Sequence, residues 1–163
     1  MKTLAISLAA LLAALAGSAD VRAADDPQMQ RLVLCQDKWF DWKDDAVRMA
    51  RFGNLFETQY EESTSDGAFA PKSPTSVFGW SIAQVYPQSV GMGVGFSLTV
   101  STDHTRARAL IEQQLGKPMN CATSEGVRSC AIELGNKRTA MLITGQNGGA
   151  QTSLIGCYYF YQQ

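Results

Sequence analysis

Two neighbouring runs of alternating residues, 77–86 and 92–101, constrain the fold of this 163-residue chain more than any other feature. In the second run, apolar side chains alternate with glycine, serine and threonine, and only a β-strand places every second side chain on one face. The first run alternates in the same way, interrupted only by Gln84. With residues 87–91 as the loop, the two runs predict one long antiparallel β-hairpin.

The predicted hairpin has two unlike faces. One face is bulky, because the register places Phe78 opposite Val100, Trp80 opposite Leu98 and Ile82 opposite Phe96. The other face carries only small side chains, those of Gly79, Ser81, Ala83, Gly93, Gly95 and Ser97. We expect the bulky face to belong to the core. The small-residue face should be covered closely by a helix, or it should be open to a ligand or a partner.

Residues 1–23 predict an export signal that is removed from the mature protein. Lys2 gives a short positive end, residues 4–16 form an apolar run, and residues 21–23 offer a cleavage site before Ala24. The run is too short to span a bilayer, and no later run approaches the roughly 20 apolar residues that a spanning helix needs. We therefore expect one mature domain, residues 24–163, without a stable membrane span, in the periplasm of a bacterium or secreted from it.

The charge balance argues against a nucleic acid partner. The chain has 14 lysine and arginine residues against 15 aspartate and glutamate residues, and its formal net charge is −1. Proteins that bind nucleic acids usually have an excess of positive charge, which pairs with the phosphates. This chain has neither that excess nor a basic run.

All four cysteines follow the predicted signal, and an even number in an oxidising compartment favours two disulfides. A two-residue turn at 125–126 would place Cys121 directly opposite Cys130, within reach of a bridge. The remaining pair is then Cys35 with Cys157. A metal site or a reactive thiol is the alternative interpretation. Because the chain has no Cys-x-x-Cys motif and only one histidine, we expect neither a metal nor a cofactor.

The rest of the pattern predicts an α+β domain. Residues 37–58 have the apolar spacing of an amphipathic helix, and a second helix begins after Thr102 or Asp103 and ends at Gly116 and Pro118. Four short strands follow, at 120–123, 128–134, 138–144 and 152–161. We expect an antiparallel sheet of about six strands, made of the long hairpin and this C-terminal meander, packed against two helices and linked by two disulfides.

Residues 59–76 form an acidic segment that is predicted to be a long loop, and long loops in compact domains are often functional. The segment contains Glu61, Glu62 and Asp66, and Phe69 is its candidate aromatic anchor. The functional interpretation is a partner-binding loop, in which the carboxylates meet a basic cleft and the ring fills a pocket. The alternative is a solvated connection without a binding role.

Candidate catalytic residues are scarce. A serine triad would depend on His104, and the chain has no Gly-x-Ser-x-Gly elbow. His104 falls in the first turn of the second predicted helix, where we expect a solvated side chain rather than a catalytic one. Adjacent carboxylates such as Asp44 and Asp45 point apart and are common on solvated surfaces. We therefore name no catalytic residue and do not expect an enzyme.

These observations favour an exported, non-enzymatic protein-binding module, most concretely an inhibitor or immunity protein that blocks a cell-wall hydrolase or a delivered toxin. Its partner would be another envelope or secreted protein. The alternative is a periplasmic carrier or sensor that holds a small apolar ligand above the small-residue face. A hydrolase built on two distant carboxylates is a third and weaker hypothesis. The pattern gives no oligomeric state.

Overall fold

The computed structural model describes residues 23–37, 57–63, 67–90, 93–147 and 150–160. Within these ranges the protein is an α+β domain dominated by one sheet of ten strands. The elements in chain order are β1 (Ala24–Asp25), α1 (Pro27–Val33), β2 (Tyr60–Glu62), β3 (Phe69–Pro71), β4 (Thr75–Val77), β5 (Trp80–Val90), β6 (Gly93–Val100), α2 (His104–Leu115), β7 (Asn120–Ser124), β8 (Val127–Glu133), β9 (Arg138–Asn147) and β10 (Ala150–Phe160). The predicted α+β class is confirmed, but the sheet is not wholly antiparallel, because β1 pairs parallel with β4.

The sheet has more strands than the roughly six that the sequence predicts. The additional strands, β1 to β4, have two or three residues each, and alternation cannot be recognised over so few positions. Two of them, β2 and β3, lie in the segment 59–76, where a loop is predicted, and β4 begins in it and ends at Val77. Most of the predicted helix 37–58, and the predicted signal up to residue 22, lie outside the described residues.

β10 joins the predicted hairpin to the predicted meander. The strand order is β1-β4-β5-β6-β10-β9-β8-β7, with β2 and β3 attached through β5. β10 pairs antiparallel with β6 over residues 153–160 and with β9 over residues 150–159. The last strand of the described chain therefore lies in the middle of the sheet.

The hairpin of β5 and β6 is longer than predicted, and its register is shifted. β5 continues through the predicted loop, including Pro87, and a shorter connection joins it to β6. Ile82 consequently pairs with Val100 rather than with Phe96, and a bulge follows before Gln84. The proline is tolerated within this strand because the described neighbours on the far side of β5 pair with its earlier residues only.

Phe78 and Trp80 do not pair with β6 as predicted, because Phe78 lies in the turn between β4 and β5 and Trp80 follows that turn. Phe78 and Gly79 both have positive φ, 54° and 74°, and Val77 pairs with Trp80 across this two-residue turn. The conformation suits glycine and strains phenylalanine. The Phe78 and Trp80 rings meet edge to face, with centroids 5.6 Å apart, and both pack against the core. This packing offsets the local strain.

The two faces of β6 are buried in different ways. The large side chains of one face are in the core, as predicted: Phe96, Leu98 and Val100. On the opposite face, rings from β10 occupy the space that the small residues leave. A Cβ atom at Gly95 would lie 2.2 Å from the Tyr158 ring, and one at Gly93 would lie 2.9 Å from the Phe160 ring. At these two positions the small-residue face is filled by the protein itself.

α1 is a helix that the hydrophobic pattern does not reveal, because it has only seven residues. Asp26 caps it by accepting hydrogen bonds from the backbone N–H groups of Gln28 and Met29, and Pro27 is in its first turn. The Asp-Pro pair is a sequence signal for such a helix start. The helix buries Met29 and Leu32 and so adds a second layer to the sheet.

α2 begins and ends where the sequence predicts. Asp103 accepts a hydrogen bond from the Arg106 backbone N–H at 2.9 Å, and Gly116 ends the helix in the left-handed conformation with φ 64°. The helix packs on β9 and β10 and buries Ala107 and Ile111. It is therefore fixed on the same part of the sheet as the cysteine-bearing strands.

Both predicted disulfides are present. One links Cys35, after α1, to Cys157 in β10, and the other links Cys121 in β7 to Cys130 in β8. The predicted two-residue turn joins β7 to β8, with positive φ at both of its positions. Two disulfides are compatible with an oxidising compartment outside the cytoplasm. None of the helices in the described ranges has the length and hydropathy of a membrane span.

We predict that the two disulfides contribute unequally to stability. In the loop-entropy account, a bridge across 122 positions contributes about 5 kcal/mol and one across 9 positions about 3 kcal/mol. The double substitution Cys35→Ala with Cys157→Ala should therefore lower the free energy of unfolding more than Cys121→Ala with Cys130→Ala. Urea unfolding followed by tryptophan fluorescence measures both values. An equal or reversed order would contradict the loop-entropy account for this fold.

We also predict that Gly95→Ala destabilises the protein by about 1–3 kcal/mol, because the new Cβ atom overlaps the buried Tyr158 ring. The matched control is Gly145→Ala in β9, where the nearest atom to a new Cβ is a Val127 methyl at 3.9 Å. The control should be neutral or slightly stabilising. Equal denaturation midpoints for the two variants would mean that the ring does not fill this space.

Candidate functional site

The predicted binding loop contains a short β-hairpin. β2 and β3 pair antiparallel, with Tyr60 opposite Pro71 and Glu62 opposite Phe69. β3 attaches the hairpin to β5, whereas no described strand pairs with the outer side of β2. The hairpin therefore forms an edge of the described sheet. Asp66, the third predicted acidic residue of the site, lies outside the described residues.

This edge hairpin has a buried base and two exposed carboxylates. Tyr60 is 2% exposed, and this burial, with the nearby Asp26 carboxylate, raises the pKa of its phenol. Glu61 and Glu62 are exposed and point to opposite faces, because they are neighbours on a strand. Among the residues that the structure describes, neither forms an ion pair. The structure thus places two of the predicted acidic residues on one paired edge strand, with their side chains on opposite faces.

Phe69 is less accessible to a partner protein than a fully exposed aromatic side chain would be. Its side chain is partly buried and packs against the core. Its cross-strand partner is Glu62, and side chains in such directly opposed positions are close neighbours on one face. A partner that contacts the exposed part of the ring would therefore also meet this carboxylate. A binding role for Phe69 stays a prediction.

A second candidate site joins α2 to β7, β8 and β9. His104 Nε2 lies 3.7 Å from Cys130 Sγ, and His104 Nδ1 lies 3.0 Å from Thr144 Oγ1. The nitrogen and sulfur atoms of His104, Cys121 and Cys130 lie within 4.8 Å of one another. The two sulfurs are joined in a disulfide in which Cys130 is buried and Cys121 is exposed. Solvent therefore reaches the bridge from the β7 side.

Contacts at both ends of α2 fix this arrangement. Asp103 caps the helix, so that His104 is its first residue. Near the other end, Glu112 accepts hydrogen bonds from the Met119 backbone N–H and from the Arg108 guanidinium, each at 2.8 Å. These bonds, above all the one from Met119, lower the pKa of the Glu112 carboxyl. Because Met119 immediately precedes β7, Glu112 ties the helix to the strand that carries the exposed cysteine.

The surroundings of His104 favour a neutral imidazole. Burial is the main cause that lowers its pKa, and the Arg128 and Arg108 guanidinium groups lower it further, against a smaller opposite effect of Asp103. A neutral imidazole has one donor nitrogen and one acceptor nitrogen. In the tautomer that donates from Nδ1 to Thr144 Oγ1, the lone pair of Nε2 faces the Cys130 sulfur. The ring is then arranged as a ligand or a proton acceptor.

These contacts correct the expectation that His104 is a solvated side chain. The ring is partly buried because the first turn of α2 lies against β8 and β9. Its partners Cys130 and Thr144 are 26 and 40 positions away in the chain, and such separations produce no periodic pattern. Only the pairing of Cys121 with Cys130 could be located from the sequence.

An open concavity of ≈ 490 Å³ lies on the sheet at β8, β9 and β10. Its lining combines apolar side chains with one carboxylate and two cations: Ala131, Glu133, Gly135, Lys137, Arg138, Thr139, Met141 and Phe160. Arg138 is held in place by donating from Nη1 to the Cys35 carbonyl oxygen at 2.7 Å. The residues come from three strands and one turn, so no single sequence segment could have indicated this site.

Comparison with known proteins identifies no relative: no protein-family model, no curated protein and no solved structure matches the chain. A functional proposal for this protein therefore depends on the described side chains alone.

We predict that His104 titrates below the ordinary histidine pKa of 6.5, because burial and two arginines oppose its charge. The unfolded chain then takes up the proton at a higher pH than the folded chain. Stability should therefore fall as the pH drops from 6.5 towards the folded pKa, and it should level off below that value. Proton NMR measures the titration without ambiguity, since the chain has a single histidine.

Arg128→Gln tests the electrostatic part of this prediction. It should raise the His104 midpoint, because it removes a positive charge that acts on the ring. The control is Lys72→Gln, which also removes one positive charge. Lys72 donates to the Glu57 carbonyl oxygen, away from the His104 ring. This variant should leave the His104 titration midpoint unchanged. A wild-type midpoint at or above the ordinary value would show that the described environment of His104 is wrong.

Proposed function

We propose that this protein is an exported, non-enzymatic protein-binding module, and most concretely an inhibitor or immunity protein that blocks a cell-wall hydrolase or a delivered toxin. The observation that carries the proposal is the edge hairpin β2–β3, which presents Glu61 and Glu62 without ion-pair partners among the described residues. Its base is fixed by the buried Tyr60 and by pairing with β5.

A fixed hairpin is suited to insertion into a cleft. Because Glu61 and Glu62 point to opposite faces, a flat partner surface would contact only one of them. A cleft with basic walls would contact both, and each wall would receive one carboxylate. Positive potential in such a cleft speeds association and selects against partners of the wrong charge. Hydrolases bind their substrates in concave sites, so a hairpin inserted into such a cleft would exclude the substrate.

The attachment of the hairpin reduces the cost of binding. A disordered acidic loop would lose conformational entropy when it enters a cleft, whereas a hairpin already paired with the sheet has lost most of it on folding. Phe69 lies on the same face as Glu62 and supplies apolar contact beside that charge. Asp66 belongs to the same proposal as a third carboxylate in the connection between the two strands.

The two disulfides are consistent with an oxidising compartment, where the partner would also be found. Bridges of this kind persist in oxidising compartments, which include the bacterial periplasm and the exterior of the cell. We therefore propose that the partner is another envelope or secreted protein and that it carries the basic cleft.

A small-ligand carrier or sensor is the second candidate, and the concavity on β8–β10 favours it. Its ≈ 490 Å³ lies within the range of small-molecule sites, and Met141 and Phe160 give it apolar walls beside Lys137. The small-residue face, which first suggested a carrier, is filled at Gly93 and Gly95 by rings of β10. Native mass spectrometry of the purified protein tests this candidate, and a reproducible bound small molecule that Met141→Trp displaces would favour it over the inhibitor.

We predict that the double variant Glu61→Gln with Glu62→Gln weakens partner binding at least about tenfold at low salt, mainly through slower association. The partner would first be captured on immobilised wild-type protein from envelope extract and from the products of neighbouring genes. The control Glu125→Gln neutralises an exposed carboxylate at the β7–β8 turn, at the opposite end of the sheet. Biosensor kinetics at two salt concentrations, with the catalytic activity of the captured partner, provide the measurements.

The outcomes separate the loop assignment from the function. If the double variant and the control bind alike, the edge hairpin is not the binding surface. If the wild type binds a hydrolase or toxin without lowering its activity, the protein is a binding module but not an inhibitor. If no partner is retained at micromolar protein, the binding proposal fails and the concavity becomes the site to study.

A further inference from the structure

His104, Cys121 and Cys130 are the strongest grouping of metal-ligand atoms in the described part of the chain, all within 4.8 Å of one another. We propose that the Cys121–Cys130 disulfide is the closed form of a metal site. Its reduction creates a centre of two thiolates and one imidazole for a thiophilic d10 cation, zinc(II) or copper(I). The protein would thus bind such a cation only under reducing conditions. This proposal is independent of the binding function assigned to the edge hairpin.

The distances fit this donor set. In a tetrahedral zinc site with Zn–S near 2.3 Å, two thiolate sulfurs lie roughly 3.8 Å apart, and a sulfur and an imidazole nitrogen lie roughly 3.6 Å apart. His104 Nε2 already lies 3.7 Å from Cys130 Sγ. Cys121 and Cys130 are directly opposed on neighbouring strands, with Cα atoms 4.0 Å apart. Once the bond between the sulfurs is broken, side-chain rotation is enough to separate them to the ligand distance.

Thr144 acts as an orienting partner for the histidine. Its Oγ1 atom lies 3.0 Å from His104 Nδ1, on the far side of the ring from the sulfurs. Metal-binding histidines usually donate the second ring N–H to a carboxylate, a backbone carbonyl or water, which fixes the tautomer and the plane of the ring, and the Thr144 hydroxyl oxygen can accept in the same way. The arrangement at His104 therefore includes a second-layer contact of the kind that metal sites use, and this contact is present without a metal.

Charge and access also favour the reduced site. The Arg128 and Arg108 guanidinium groups are near enough to act on His104, and positive charge nearby stabilises thiolates. Cys121 is exposed, so a reductant and a cation can both reach it. The other disulfide lacks this access, because Cys35 and Cys157 are at most 2% exposed. A mild reductant should therefore open the cluster and leave the link between α1 and β10 intact.

The redox step and the binding step balance separately. An external dithiol supplies two electrons and two protons to the Cys121–Cys130 bond, and its own two sulfurs become a disulfide. Entry of the cation then displaces one proton from each cysteine thiol, and the neutral imidazole of His104 binds through Nε2 without losing a proton. The fourth position of a tetrahedral centre is left to solvent or to an external ligand.

The test uses the full protein in its oxidised and mildly reduced forms, without oxygen. A limited amount of a phosphine reductant opens the bridge and is removed before any cation is added, because phosphines themselves bind copper(I). Alkylation with peptide mass spectrometry should then label Cys121 and Cys130 but not Cys35 or Cys157. Cobalt(II) is the first probe, since thiolate-to-cobalt charge-transfer absorption reports sulfur ligands. Competition with zinc(II), and separately with copper(I) against a chromophoric chelator, then decides which cation binds more tightly.

The reduced protein should bind one equivalent of cation with thiolate charge-transfer absorption, and the oxidised protein should show none. His104→Gln should weaken binding at least about tenfold, whereas Thr105→Ala, which changes the exposed neighbour, should not. Because both variants keep their disulfides until reduction, circular dichroism of the oxidised form verifies that they fold. The proposal is overturned if the reduced protein binds no better than the oxidised one. It is equally overturned if His104→Gln binds as tightly as the wild type, since the imidazole is then not a ligand.

Discussion

The placement of β10 between β6 and β9 is the constraint on which the rest of the structure depends. One edge of this strand forms backbone hydrogen bonds with β6 of the long hairpin, and its other edge forms them with β9 of the meander. Its side chains also serve both faces, because Tyr158 and Tyr159 are each buried although they point in opposite directions. Cys157 adds a covalent link from the same strand to the end of α1. Without β10, the described sheet would consist of two separate sheets with two new open edges.

Close approach between strands explains the unusual composition of β6. A strand with Gly93, Gly95 and Ser97 on one face has little side-chain volume of its own to bury. The aromatic residues of β10 supply that volume, and the Tyr158 ring lies where a side chain at Gly95 would otherwise project. The large aromatic residues of β10 and the glycines of β6 therefore depend on each other for packing. The ligand space that the composition of β6 suggests is taken up in this way at Gly93 and Gly95, and the Phe160 ring that covers Gly93 also lines the concavity on β8–β10.

Most features that the sequence predicted correctly are encoded by neighbouring residues, and the distant pair Cys35–Cys157 followed only by elimination once the short pair was placed. The cap at Asp103, the left-handed end at Gly116 and the turn that opposes Cys121 to Cys130 each depend on a few adjacent positions, and all are present. The hairpin register was wrong because period-two alternation fixes which face a side chain occupies but not where the loop ends. A strand can continue through a proline such as Pro87 when no partner needs its N–H, and that condition is set by the neighbouring strands.

The sequence indicated the acidic edge hairpin but not the cluster around His104, because only the first depends on neighbouring residues. The acidic composition that marks Glu61 and Glu62 is local, although the hairpin that carries them was too short to recognise. The position of His104 against Cys130 is created only when α2 folds back over the meander, and no local pattern encodes it. Spatial proximity of residues distant in the chain is therefore the information that the sequence alone lacked.

β10 is the last of the described strands and lies in the middle of the sheet, which limits the order in which the two disulfides can form. If the chain is threaded outwards from its N-terminus, Cys35 arrives first and its partner Cys157 arrives 122 positions later. Cys121 and Cys130 reach the oxidising side between them and lie only 9 positions apart, so they can pair while the sheet still lacks its middle strand. Early closure of that short loop removes the two thiols with which Cys35 could otherwise mispair. With that direction of entry, the short bridge would favour correct pairing of the long one.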